Sequence, residues 1–239
     1  MHLSEYLLLF FSVIFSGLAV FFIKTTNKFF LKLILSFSGA YLFGITVLHL
    51  IPAVYQTDTT RVGYFILIGF FIQIILEYFS EGIEHGHIHV HQHPAPAFPF
   101  SVIIGLSLHS FLEGMPLADR HHDHDHGDQL LVGIVLHHLP VAFALVSMLL
   151  QSGVKKSTAI FMLIIFAAMA PLGAATSNFL SGAVIANISE YYDKIMAVVI
   201  GIFLHISTTI LFESSENHRF NLYKLIVICL GAGLSLIAF

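Results

Sequence analysis

Eight apolar stretches dominate this sequence, each close to the roughly 20 residues needed to cross about 30 Å of hydrocarbon. They fall near residues 4–23, 33–54, 62–80, 98–118, 130–150, 157–180, 194–213 and 222–239. In lipid every backbone N–H and C=O must find its partner within the protein, which leaves helices or closed barrels. Barrel strands would be shorter and would alternate apolar with polar residues. The expected fold class is therefore all-α, a polytopic membrane protein with eight transmembrane helices. Composition agrees: 57% of residues are hydrophobic, 10% are charged, and the mean hydropathy is +0.88, a balance foreign to soluble domains. Pro116 and Pro171 are expected to interrupt the fourth and sixth stretches.

Charge sets the expected orientation. Lys24, Lys28, Lys32, Lys155, Lys156, Arg219 and Lys224 fall in or beside alternate loops, and only Arg61, Arg120 and Lys194 fall in the others. By the positive-inside rule the first group is cytoplasmic, so both termini lie outside, most simply at the plasma (inner) membrane. The first stretch lacks a basic n-region and is followed by lysines, which argues against a signal peptide. The whole chain, 1–239, is expected to form a single transmembrane domain. A lone cysteine, Cys229, excludes a disulfide framework and any thiolate cluster. The net charge of −4 says little, because histidines and loops dominate it, and no nucleic-acid partner is expected.

Two inter-span segments are rich in histidine. Residues 84–96 carry His85, His87, His89, His91 and His93 before Pro94 and Pro96, and are expected to form a cytosolic loop. Residues 119–128 mix His121, His122, His124 and His126 with Asp119, Asp123, Asp125 and Asp128, and are expected to form an extracytosolic loop. Mixed imidazole and carboxylate suits loose metal trapping, although a solvated loop with incidental affinity has the same composition.

The stronger signal lies inside the apolar runs. His109 and Glu113 are four apart and share one helix face. His137 and His138 are about 100° apart around their helix and are followed by Pro140, which has no backbone donor and frees the Leu136 carbonyl. A carboxylate at the bilayer centre costs roughly 2.5–3.5 kcal/mol. Polar glue between helices is the bland account of any one such residue, but four on consecutive spans favour a cation site. Imidazole and carboxylate without thiolate suit Zn²⁺, and also Fe²⁺, Mn²⁺, Co²⁺, Ni²⁺ or Cd²⁺. His49, in His49-Leu50-Ile51-Pro52, and mid-span His205 are further candidate ligands, whereas Glu77, Glu81 and Glu213 close their spans and read as interfacial.

These motifs resemble those of the ZIP (Zrt/Irt-like) divalent-metal transporters, over nearly the whole chain. The family's fourth span typically reads His-Asn-x-x-(Asp/Glu)-Gly, here His109-Ser110-Phe111-Leu112-Glu113-Gly114. Its fifth reads His-(Asn/Glu/Asp)-x-Pro-(Glu/His), here His137-His138-Leu139-Pro140-Val141, and its second carries His-Leu-(Leu/Ile)-Pro, here residues 49–52. The resemblance implies eight helices with an inverted repeat of the first and last three, an inner bundle of spans two, four, five and seven, and a homodimer. It maps His109, Glu113 and His137 onto primary-site ligands, and Ser110 and His138 onto a second site present in some members. Val141 and Ala170 stand where relatives carry further ligands, and Ser110 replaces the usual asparagine. One metal is therefore expected, with His138, His205 or water completing its shell.

The function that follows is transport of a divalent cation, zinc first, into the cytoplasm. The metal is cargo rather than cofactor, no catalytic cofactor is expected, and no enzymatic activity is expected. No phosphate-binding loop suggests ATP coupling. Two charges moving inward across about −100 mV gain ~4.6 kcal/mol. The rival from another class is an intramembrane metal-dependent hydrolase, which would use the same residue types around zinc with a water in the open position. An exporter and a metal sensor are the remaining alternatives.

Overall fold

The computed structural model describes residues 1–23, 28–57, 61–80, 82–83, 100–118, 124–182, 188–213 and 222–237, and these contain no strand. The helices are α1 (Leu3–Ala19), α2 (Lys28–Ile45), α3 (Ile51–Thr57), α4 (Val62–Ser80), α5 (Phe100–Gly114), α6 (His124–Gln151), α7 (Lys156–Gly182), α8 (Ile188–Glu213) and α9 (Leu222–Ile237). A π-helical turn, Thr46–Leu50, joins α2 to α3 without a break, and the Ile51 N–H closes it on the Thr46 carbonyl. Among the described residues, six helices are long and apolar enough to cross a bilayer. The helices Leu3–Ala19 and Leu222–Ile237 are apolar but shorter than the expected eight-span pattern requires.

Burial separates the six long helices into an inner and an outer group. In the span Phe29–Gln56, in Phe100–Leu117, in Gly127–Gln151 and in Tyr192–Phe212, 67, 56, 72 and 56% of the apolar window is buried, against 22% for Val62–Ser80 and 39% for Lys156–Leu180. The inner group bears the buried histidines and Glu113, and the outer group presents large apolar side chains such as Phe71, Ile75 and Phe161. Between apolar helices in lipid, association rests on close backbone approach at small residues. Three crossings here use reciprocal glycines. A methyl on Gly114 of α5 would overlap the Ala170 carbonyl of α7, and one on Gly173 of α7 would overlap the Phe111 carbonyl. Gly69 of α4 and Gly201 of α8 meet the carbonyls of Val198 and Ile66. On α2 and α9, Gly44 abuts the Ser235 side chain and Gly231 abuts the Phe37 carbonyl.

The prolines act differently from one another. Pro116 lies in a 3₁₀ turn, Met115–Ala118, so α5 stops at Gly114, four residues before the expected end of its span. Pro171 lies inside α7, which continues across it, contrary to the expected interruption. Its missing N–H costs one helical bond, and the reciprocal Gly114 and Gly173 contacts hold α7 against α5 on either side of it. Pro140 likewise sits inside α6, and Ser16 of α1 donates to the preceding Leu139 carbonyl at 2.5 Å. Helix α6 begins at His124, so the second half of the expected 119–128 loop is helical. Residues 119–123 and the whole 84–96 segment lie outside the described residues, as does Glu81.

Candidate metal centre

Helix periodicity brings the ligands together. One turn of α5 separates His109 from Glu113 and stacks them on one face, and α6 carries His137 to the same level. One ligand atom from each of His109, Glu113 and His137 can be chosen so that all lie within 4.8 Å of one another. All three side chains are completely buried. Two ligand atoms bound tetrahedrally at zinc distances would sit about 3.3 Å apart. His109 Nε2 and Glu113 Oε1 already lie 3.2 Å apart, the spacing that two zinc ligands need.

The orientation of His109 is fixed from α4. Its Nδ1 lies 3.1 Å from Gln73 Oε1. An amide oxygen only accepts, so Nδ1–H donates, and in the neutral ring Nε2 carries the lone pair. That lone pair faces Glu113 Oε1. Two acceptors facing each other at hydrogen-bond distance repel unless a proton or a metal cation lies between them, so the pair can hold either. The other carboxylate oxygen, Oε2, accepts from His138 Nε2 at 2.7 Å. His138 also packs against Phe166 of α7, with ring centroids 5.5 Å apart. The two adjacent histidines of α6 thus both address the site, His137 within the triad and His138 on the far oxygen of Glu113.

The remaining sequence candidates are placed elsewhere. His49 sits in the π turn, buried, with Nε2 3.3 Å from the Ser235 carbonyl of α9. His205 of α8 lies 3.4 Å from Glu77 Oε2 of α4 and edge-on to Phe70, with centroids 4.9 Å apart. Neither belongs to the triad. Glu77, read from sequence as interfacial, is instead half-buried against His205. Val141 is fully buried in the apolar core with Leu145 and Phe166. Ala170 forms the floor under Gly114, so neither supplies a ligand. Ser110 is buried beside His109.

Gln73, which touches His109, is not among the residues that the sequence motifs single out. It is fully buried in the least buried of the long helices. The available signal was an amide four residues before Glu77 in an otherwise apolar span, which places both on one face.

A search of curated proteins by sequence found no match. The family described as ZIP zinc transporter matches residues 90–238, more than half of the chain, and this region includes α5 through α9 and all three triad residues. An integral membrane protein with a buried His/Glu cluster on two adjacent helices fits that match, and the chain belongs to the ZIP zinc transporter family, whose members move divalent metal ions across membranes.

Proposed function

We propose that this chain carries zinc, and with it chemically similar dications such as Fe²⁺, Mn²⁺ and Cd²⁺, into the cytoplasm through a single intramembrane site formed by His109, Glu113 and His137. The observation that carries the reading is the convergence of their ligand atoms within 4.8 Å in a fully buried position. Two neutral imidazoles and one carboxylate leave a bound dication with net positive charge, which favours release over tight retention. With Val141 and Ala170 apolar, the cluster provides ligands for one metal, and a water completes the shell while His138 holds the far oxygen of Glu113.

In this reading all eight apolar helices cross the membrane, both termini lie outside, and the chain forms a homodimer in the plasma membrane. The lysine distribution supports the orientation. The inverted repeat is supported by helix packing. Exchanging α2 with α8 and α4 with α9 maps the glycine-seated α2–α9 pair onto the glycine-seated α4–α8 pair. The same exchange, with α1 traded for α7 and α5 for α6, maps the α1–α6 pair onto α5–α7. The histidine segments on either side would collect metal weakly at the mouths of the path.

The test is uptake into proteoliposomes holding the purified protein under an inside-negative potential, with zinc as probe and the other dications as competitors. Zinc accumulation that scales with the potential is expected. Absence of flux, alongside a tightly retained stoichiometric zinc, would overturn the reading and favour the hydrolase.

A further inference from the structure

We propose that Gln73 of α4 is a positioning residue for the metal site, setting the tautomer and aim of His109 without touching the cation. This inference rests on the reading of His109, Glu113 and His137 as the cation ligands. Three observations carry it. First, the Gln73 amide oxygen engages His109 Nδ1 at 3.1 Å, which assigns the ring proton to Nδ1 and directs the Nε2 lone pair at the place where His109 and Glu113 converge. A metal-bound histidine generally donates its second N–H to such an acceptor, which fixes the ring and raises its basicity. Second, Gln73 is fully buried although 22% of the α4 window is, so the helix turns this one amide inward. Third, the α4–α5 crossing is built to bring it there. A methyl on Gly105, one turn before His109 on the same face, would stand 3.0 Å from the Leu76 carbonyl and 3.1 Å from the Ser80 nitrogen. The close approach of the two antiparallel backbones at Gly105 delivers Gln73 to His109 one turn further along.

The consequence is that a helix contributing no ligand controls the affinity of the site. The amide is neutral, so it orients His109 without adding the negative charge that a carboxylate partner would bring. That keeps the bound cation's surroundings weakly charged, as release demands.

The experiment measures zinc affinity by calorimetry on the purified full chain in detergent, with thermal unfolding in the absence of metal as a second readout. Gln73→Leu is expected to weaken zinc binding by about 10- to 100-fold, the usual range for losing such a partner. The metal-free melting temperature should stay in place or rise. In uptake assays the variant's KM should rise more than its maximal rate falls. Gln73→Glu keeps the acceptor and should bind zinc at least as tightly as the wild type. In a His109→Ala background Gln73→Leu should have no further effect, because contacts that act through one residue are not additive. Unchanged affinity in Gln73→Leu overturns the proposal, and so does an equal loss with and without His109. Wild-type affinity in His109→Ala with Gln73 intact would overturn the site reading itself. Should the leucine variant not fold, Gln73→Glu decides, and a tenfold weaker zinc affinity in it overturns the proposal.

Discussion

His138 Nε2 lies 2.7 Å from Glu113 Oε2, on the carboxylate oxygen opposite the one that faces His109. The contact ties α6 to α5 and leaves Oε1 facing His109. Under the proposed site the two neighbours in sequence take different tasks: His137 would supply a ligand atom, and His138 would steady the shared carboxylate. His137→Ala is expected to weaken zinc binding more than His138→Ala. The second should lose about 10- to 100-fold, as outer-shell partners do, and the first more than that. Zinc titration calorimetry on both variants checks the order, and equal or inverted losses would reassign the ligand to His138.

Glu113→Ala and His109→Ala should each abolish uptake while leaving the fold intact. Each removes half of the one-turn ligand pair on α5, and the glutamate variant also relieves the cost of a buried carboxylate, roughly 2.5–3.5 kcal/mol at mid-membrane. Uptake assays paired with thermal unfolding separate lost transport from lost structure. Wild-type rates in both purified variants would remove α5 from the path.

Val141 follows His137 by one turn and shares its face. Val141→Glu places a second carboxylate near the cation and should tighten zinc binding at least about tenfold, since added anionic ligands deepen a cation well. Turnover should slow as release becomes limiting. His205, paired with Glu77 rather than with the triad, should matter less to this well. His205→Ala is expected to leave the zinc affinity of the central site within a few-fold. A collapse of affinity in His205→Ala would place that imidazole in the metal's shell.

The histidines of residues 84–96 should tune flux without enabling it. Replacing His85, His87, His89, His91 and His93 with serine is expected to leave maximal zinc uptake within a few-fold and to raise the concentration needed for half-maximal flux. Complete loss of transport would make the segment an obligatory relay.

Gly173→Ala should destabilise the fold, because the added methyl overlaps the Phe111 carbonyl, which a helix backbone cannot move aside. Overpacking of this kind costs typically about 1–3 kcal/mol. Gly127→Ala, in a position with open space around it, serves as the control and should leave stability unchanged or improved. Detergent-phase thermal unfolding of both variants measures the difference.

Much of this architecture was legible in the sequence because its signals were local. Apolar length located the long helices, and the spacing of His109 and Glu113 placed them on one face. What escaped depended on partners distant in the chain. Whether His138 would join His137 or turn away is not decided by their adjacency; Glu113, on another helix, decides it. Gln73 is a lone amide in an apolar run, and only the Gly105 crossing reveals that it faces His109. Pro171 looked like an interruption because its missing donor is a local cost, whereas the two glycine seats that hold α7 straight through it are tertiary. Helix α6 extends back to His124, into charged residues that hydropathy counts as loop.

The π turn at Thr46–Leu50 has a structural meaning under the proposed repeat. A π turn accommodates one more residue than an α turn while the backbone ladder stays continuous. Gly44, just before the turn, and His49, within it, are five positions apart, whereas Gly201 and His205 on α8 are four apart. Each glycine seats its helix on a partner, and each histidine reaches across to that same partner, α9 in one half and α4 in the other. The extra residue is absorbed where the helix widens, so the helix beyond it keeps its facing. The two histidines then meet different chemistry: one lies against a backbone carbonyl, and the other faces an acid.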